Sequence, residues 1–130
     1  MKQLLTGMKP AIGWLLVVTL LLVLPGQALP QETWLLKIQF DKIVHVGLFA
    51  VLTWLFCRGW YQNGITQERL KPIFIYITLA AVLYGLAMEF IQKYCVPFRS
   101  FDVYDVIADA GGAFAGYFFS RWLYLKRPAR

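Results

Sequence analysis

Four runs of apolar residues, separated by short polar segments, organise this sequence. A helix rises 1.5 Å per residue, so roughly 20 residues cross the hydrocarbon core of a bilayer. The first run is short, unless Lys9 snorkels and lets its helix begin near Leu4. The pattern predicts an all-α integral membrane protein, a bundle of four transmembrane helices forming one domain over residues 1–130. The predicted helices cover about residues 10–24, 43–60, 72–92 and 103–125.

The first apolar run also fits a signal peptide. A basic start and an apolar stretch are followed by the small-residue pattern Gly26-Gln27-Ala28, which is typical of a cleavage site. Residues 1–28 are predicted to contain transmembrane helix 1, with a cleaved signal peptide as the alternative. Both interpretations place Leu29 on the outer side of the membrane.

The connection over residues 31–42 supports two periodicities. Trp34 and Ile38 would share one face of a helix lying on the membrane surface. Leu36 and Phe40 belong to an alternation of apolar and polar residues, which is typical of an extended segment. The sequence leaves both open.

Composition and charge agree with a membrane protein. Apolar residues make up 59% of the chain and charged residues 15%, against about 25% charged in soluble domains. The net charge is +6, and the basic residues lie at the edges of the apolar runs. This distribution argues against nucleic-acid binding. Lys and Arg accumulate in cytoplasmic flanks, so the richer side is predicted to be cytoplasmic and to hold both termini. That side carries nine of the thirteen: Lys2, Lys9, Arg58, Arg69, Lys71, Arg121, Lys126, Arg127 and Arg130.

The unusual polar residues gather at the opposite, outer face. Asp41 and His45 are four residues apart at the start of helix 2, so they share one helical face. The ends of helices 2, 3 and 4 and one loop thus deliver acids, an amide, an imidazole and a guanidinium to the same side. Intramembrane ionisable residues are functional candidates by default. The predicted ligand-binding set is Asp41, Lys42, His45, Glu89, Gln92, Arg99, Asp105 and Asp109.

Small residues extend two of these polar faces into the membrane. Small side chains at helical spacing let membrane helices approach closely, so the acids of both stripes are predicted to face the bundle interior. The stripe on helix 4 is Asp105, Asp109, Gly112 and Gly116. The stripe on helix 3 is Thr78, Ala81, Gly85 and Glu89.

The order of these residues carries a family resemblance. The pattern consists of Asp41-Lys42-x-x-His45, Glu89-x-x-Gln92, Pro97-x-Arg99, and Asp105 followed by Gly112 and Gly116. It resembles the VanZ-like family, small bacterial membrane proteins named for an accessory protein in teicoplanin resistance, over residues 38–120. The resemblance implies a compact four-helix domain in the cell membrane and, by analogy, a role in glycopeptide resistance. Similar members often carry Asn after the helix-4 acid, whereas this chain has Asp109, a second buried acid.

Three functions fit this arrangement. In the first, Lys42 and Arg99 hold an anionic lipid headgroup or a lipid-linked intermediate of the cell envelope. In the second, the protein is an enzyme that modifies such a lipid, with His45, Glu89 and Asp105 as the candidate catalytic residues. The third is ion or proton passage, which ranks last because it predicts acids distributed across the membrane.

No metal and no cofactor are predicted. His45 is the single histidine, and Cys57 and Cys95 have no metal-ligand spacing. His45, Glu89 and the aspartates could together offer nitrogen and oxygen ligands, but they form no metal-binding sequence motif. Membrane lipids are the predicted partners, and the oligomeric state is left open.

Overall fold

Four α-helices make up the computed structural model. It describes residues 2–24, 34–97 and 101–125, with side chains over 5–24, 42–97 and 101–125. Within these ranges no strand occurs, which confirms the all-α prediction. The helices are α1 (Lys2–Leu22), α2 (Trp34–Tyr61), α3 (Gln67–Cys95) and α4 (Val103–Tyr124).

Three helices contain a stretch long and apolar enough to cross a membrane. The stretches are Leu5–Leu22, Lys42–Tyr61 and Gln67–Cys95. The 22-residue helix α4 is not among them, because Asp105 and Asp109 lower its hydropathy. It instead packs extensively against α2 and α3, and both Asp105 and Asp109 are buried. The arrangement is that of an all-α membrane bundle.

The helix bounds follow the predicted runs within five residues, except at the starts of α1 and α2. Helix α1 begins at Lys2 rather than near residue 10. Helix α2 begins at Trp34, nine residues before the predicted start at Ile43. Residues 34–42 are therefore helical rather than extended, and they continue into α2 instead of forming a separate helix. No proline or glycine interrupts residues 34–46, so nothing in the backbone ends the helix there.

Successive helices run in opposite directions. The C-terminal ends of α1 and α3 meet, since Gln92 donates a hydrogen bond to the carbonyl of Leu22 over 2.7 Å. At the other end the start of α1 lies against the end of α2, where Gly7 faces Gly59. This topology brings the ends of α1 and α3 together with the starts of α2 and α4. We call this end of the bundle the polar end.

Helices α2 and α4 pack with almost no space between their backbones. A Cβ atom added at Gly112 would lie 2.3 Å from the carbonyl oxygen of Val46, and one at Gly116 2.4 Å from that of Ala50. Both glycines are buried. The predicted small-residue stripe of helix 4 is thus the surface on which α2 lies.

The outward surface is apolar, as a lipid-facing surface must be. Leu16, Leu20, Leu83 and Phe118 each expose 60% or more of their area. Two tryptophans point inward instead. Trp14 donates to the carbonyl oxygen of Leu48 over 3.0 Å, and Trp54 donates to the hydroxyl of Tyr124 over 3.1 Å.

Candidate functional site

The polar end gathers ionisable side chains from three helices. Lys42 and His45 lie on the first turns of the apolar part of α2, Glu89 lies near the end of α3, and Asp105 and Asp109 open α4. Four of these five are almost fully buried, with 1–5% of their area exposed; Lys42 is half-buried. The chain folds this way because the two predicted stripes place the acids of α3 and α4 on the faces that meet α2.

Lys42 is held between two carboxylates of the α4 start. Its ammonium Nζ lies 2.7 Å from Asp102 Oδ2 and also bonds Asp105 Oδ1. Asp105 is almost buried, whereas the side chain of Asp102 is 39% exposed and that of Lys42 20%. The network therefore reaches the bundle surface at the Lys42–Asp102 pair, which we call the rim pair.

Asp102 was not in the predicted ligand-binding set, although it has three roles in the site. Its carboxylate accepts from the backbone N–H of Tyr104 over 2.9 Å and so caps α4. Its own backbone N–H donates to Glu89 Oε2 over 3.2 Å. Burial raises the pKa of Asp102, but the hydrogen bond and positive charge of Lys42 outweigh burial and lower that pKa below its ordinary value. Its position just before an apolar run was the available signal, since Asp is a preferred N-cap.

His45 is flanked by carboxylates on both ring nitrogens. Nδ1 lies 2.6 Å from Asp109 Oδ1, within hydrogen-bond distance. Nε2 lies 3.9 Å from Asp105 Oδ2. The side chain of Asp41, which is predicted to share a helical face with His45, lies outside the described side chains. The helix-4 acids thus orient the imidazole.

Glu89 and Gln92 lie on the buried face of α3 but serve different neighbours. Glu89 is 1% exposed and accepts a hydrogen bond from the α4 cap, so it joins α3 to α4. Gln92, also 1% exposed, uses its Nε2 to bond the carbonyl of Leu22 at the end of α1. That carbonyl has no helical donor of its own, so Gln92 satisfies a group that would otherwise be costly to bury.

Gly85 makes room for Asp109. A Cβ atom added at Gly85 would lie 2.9 Å from both Cβ and Oδ2 of Asp109, and 3.1 Å from the ring of Phe49. The glycine of the α3 stripe therefore lets the carboxylate of α4 fit between α2 and α3. A residue with any side chain at this position would displace that carboxylate.

The remaining predicted cation, Arg99, lies outside the described residues. In the described part of this network one lysine, Lys42, accompanies four acids. The acids are Glu89, Asp102, Asp105 and Asp109, of which Asp102 and Asp105 contact Lys42. Three potential ligands also group closely. One ligand atom from each of His45, Glu89 and Asp109 lies within 4.8 Å of the others, and all three residues are buried. No single helix carries this group, which explains why the sequence shows no metal-binding motif.

Comparison with known proteins supports one assignment. No curated protein and no solved structure matches the chain. The family model described as VanZ/LLP1 matches residues 10–124, which include the first three predicted transmembrane segments and all but the last residue of the fourth. That range contains every residue of the described site. The chain is a membrane protein of the VanZ/LLP1 family.

Proposed function

We propose that this protein binds the phosphate-bearing headgroup of a membrane lipid, or of a lipid-linked envelope intermediate, at the polar end. The observation that carries the proposal is the rim pair. Lys42 and Asp102 are the partly exposed pair of a network whose other described members are almost fully buried. A headgroup approaching along the membrane surface meets this pair first. The bias of Lys and Arg toward the other end supports an outward-facing polar end.

Binding proceeds by exchange of one anion for another. Asp105 is buried and holds the Lys42 ammonium in place from the bundle interior. Asp102 contributes the more exposed carboxylate, so a phosphate oxygen replaces it at Lys42 with little change in the buried part. A charge held in a fixed position binds more tightly than one that must be ordered on binding.

Arg99 supplies the second cation in this proposal. It lies three residues before Asp102 in the chain, close enough in sequence to reach the same headgroup. The guanidinium donates two parallel hydrogen bonds to a phosphate, which adds geometric selectivity to the point charge of Lys42. The family resemblance extends the proposal to the envelope, where occupancy of a lipid intermediate would lower susceptibility to glycopeptides such as teicoplanin.

Lipid selectivity in nanodiscs or detergent tests the proposal. Native mass spectrometry of the full chain measures the retention of phosphatidylglycerol against phosphatidylcholine. Lys42→Gln is expected to lower the preference for the anionic lipid by about tenfold, since one charge-assisted contact is worth roughly 1.5 kcal/mol or more. Lys71→Gln is the matched control, because Lys71 is exposed at the opposite end. Equal losses in both variants, or none in either, would contradict the proposal.

A second candidate, enzymatic modification of the bound lipid, is favoured by the setting of His45. A general base needs an orienting carboxylate on one nitrogen, and Asp109 occupies that position on Nδ1. The other nitrogen faces Asp105. Turnover of a lipid substrate that Glu89→Gln abolishes, in protein that still folds and still binds lipid, would favour the enzyme. Persistent binding with no product would leave the binding role.

Ion or proton passage is the third candidate and has less support. The described acids of the buried network lie at the polar end, and Glu68, an acid near the opposite end, is exposed. A passage needs ionisable or hydrated groups in succession along its length.

A further inference from the structure

We propose that His45, Glu89 and Asp109 bind a divalent first-row transition-metal ion such as Zn²⁺ or Mn²⁺ inside the polar end. The three residues come from α2, α3 and α4. Each offers one ligand atom, and these atoms lie within 4.8 Å of one another. The exposed fractions are 2% for His45 and 1% for each acid, so the group differs from the acidic clusters common on protein surfaces.

The size of the group fits a metal after a small contraction. Ligand atoms about 2.1 Å from a tetrahedral ion are about 3.4 Å apart. The widest separation, at most 4.8 Å, must therefore close by up to about 1.4 Å, while the 2.6 Å distance between His45 and Asp109 opens by about 0.8 Å. Both movements are within the reach of side-chain rotation. The ion replaces the hydrogen bond as the link between α2 and α4.

The charges of the three ligands also suit a divalent cation. Glu89 and Asp109 place two carboxyl groups in a part of the bundle surrounded by apolar segments. Buried charges need compensation, and a divalent ion with two carboxylates and a neutral imidazole forms a neutral complex. Protons on the acids are the competing form of compensation.

The residue types select the class of ion. Imidazole nitrogen suits Zn²⁺, Mn²⁺ and Fe²⁺ better than Ca²⁺ or Mg²⁺, which take oxygen ligands. Soft ions such as Cu⁺ prefer sulfur, and neither Cys57 nor Cys95 belongs to the group. With two carboxylates beside a single histidine, the site suits a borderline-hard divalent ion.

Two neighbouring residues, Asp105 and Gly85, support the three ligands in the way that residues behind the ligands support known metal sites. With the ion on Nδ1 of His45, its Nε2 faces Asp105 Oδ2, which lies 3.9 Å from it in the structure. A carboxylate behind the distal nitrogen of a ligating histidine is the usual arrangement in zinc proteins. Gly85 leaves the space that Asp109 occupies.

Metal content of the purified full chain tests the proposal. Protein in detergent is stripped with a chelator, equilibrated with buffered Zn²⁺, freed of excess ion and analysed by plasma mass spectrometry. About one ion per chain is expected. Glu89→Gln and Asp109→Asn are each expected to lower retention at least tenfold. Glu68→Gln, which removes an exposed acid at the opposite end, is expected to keep it.

A second readout covers variants that fold poorly. Co²⁺ added to the stripped parent protein is expected to give visible absorption bands of a nitrogen- and oxygen-ligated ion, which Zn²⁺ then displaces. Absence of both ion retention and these bands in the folded parent would overturn the proposal and leave protons as the compensating charge. Equal loss of the ion in Glu68→Gln would also overturn it. The proposal is independent of headgroup binding, whose lipid selectivity is measured without added metal.

Discussion

His45 Nδ1 lies 2.6 Å from Asp109 Oδ1, and this hydrogen bond joins α2 to α4 between two residues that are 2% and 1% exposed. Both residues are shielded from bulk water by the surrounding helices. A buried donor or acceptor that loses its hydrogen bond costs about 1–3 kcal/mol. The pair therefore couples the stability of the bundle to the geometry of the candidate site.

The first prediction compares two changes at Asp109 in chelator-treated protein. Asp109→Ala removes the acceptor of His45 and is expected to cost about 1–3 kcal/mol in the free energy of unfolding. Asp109→Asn keeps an oxygen acceptor of similar shape and is expected to cost less. Denaturant unfolding of detergent-solubilised protein, followed by circular dichroism, measures both. Equal losses in the two variants would show that the negative charge, rather than the oxygen acceptor, stabilises the bundle, because both variants remove the charge.

Much of the fold could be predicted because membrane burial imposes a simple pattern. The run that predicts helix 4 ends one residue from the observed Tyr124. The stripe spacing also anticipated that Gly112 and Gly116 face a neighbouring helix, since only small residues allow that approach. The start of α2 was missed because residues 34–42 mix apolar and polar residues and thus fit two periodicities.

The site was predicted less completely than the fold. Spacing along one helix shows which residues share a face, but the pairs that matter join different helices. The contacts of Gln92 with Leu22 and of Lys42 with Asp102 link residues that are 70 and 60 positions apart. The sequence predicts Gln92 as a ligand-binding residue, but it does not predict that its Nε2 donates to the Leu22 carbonyl at the end of α1. Such contacts depend on how the helices are arranged, which periodicity does not encode.

The second prediction concerns adjacent glycines of α4. Gly112→Ala places a Cβ 2.3 Å from the Val46 carbonyl oxygen, so α2 and α4 must separate. The expected cost is about 1–3 kcal/mol, as in other overpacked cores. At Gly111 a Cβ meets nothing within 4 Å, so Gly111→Ala is expected to be neutral or to stabilise the helix by up to about 1 kcal/mol. Thermal unfolding of the two variants beside the parent makes the comparison. Similar losses in both would contradict the close packing of α2 on α4.

The third prediction concerns the rim pair. Lys42→Met leaves the almost buried Asp105 without its ammonium, and breaking one side of a buried pair costs about 3–5 kcal/mol. Because Lys42 is itself 20% exposed, we expect a smaller loss, about 1–3 kcal/mol. Adding Asp105→Asn to that variant should restore part of the stability. A double-mutant cycle by chemical unfolding measures the coupling, with the exposed Lys71→Met as the control. Additive losses would show that the two residues do not interact.

The fourth prediction concerns the link between α1 and α3. Gln92→Leu has nearly the same volume but removes the 2.7 Å hydrogen bond to the Leu22 carbonyl. We expect a loss of about 1–3 kcal/mol, because that carbonyl is left unsatisfied. Limited proteolysis should also release α1 faster than in the parent. Gln67→Leu, at an exposed position in the first turn of α3, is the control and should change neither measurement. An unchanged release of α1 in Gln92→Leu would mean that apolar contacts alone hold that helix.

The last prediction tests the proposed orientation, and the test needs an exposed thiol at each end of the bundle. Cys95 is exposed and Cys57 is fully buried, so an impermeant thiol reagent would spare Cys57 on either side of the membrane. A second exposed site is needed, and Gln62 lies in the turn after α2 at the end opposite the polar end. If the polar end faces outward, the reagent should label Cys95 of the parent in intact cells. In a Cys95→Ser background it should label Gln62→Cys only after the membrane is permeabilised. The reverse pattern would place the polar end in the cytoplasm, where lipid-linked intermediates on the outer leaflet could not reach it.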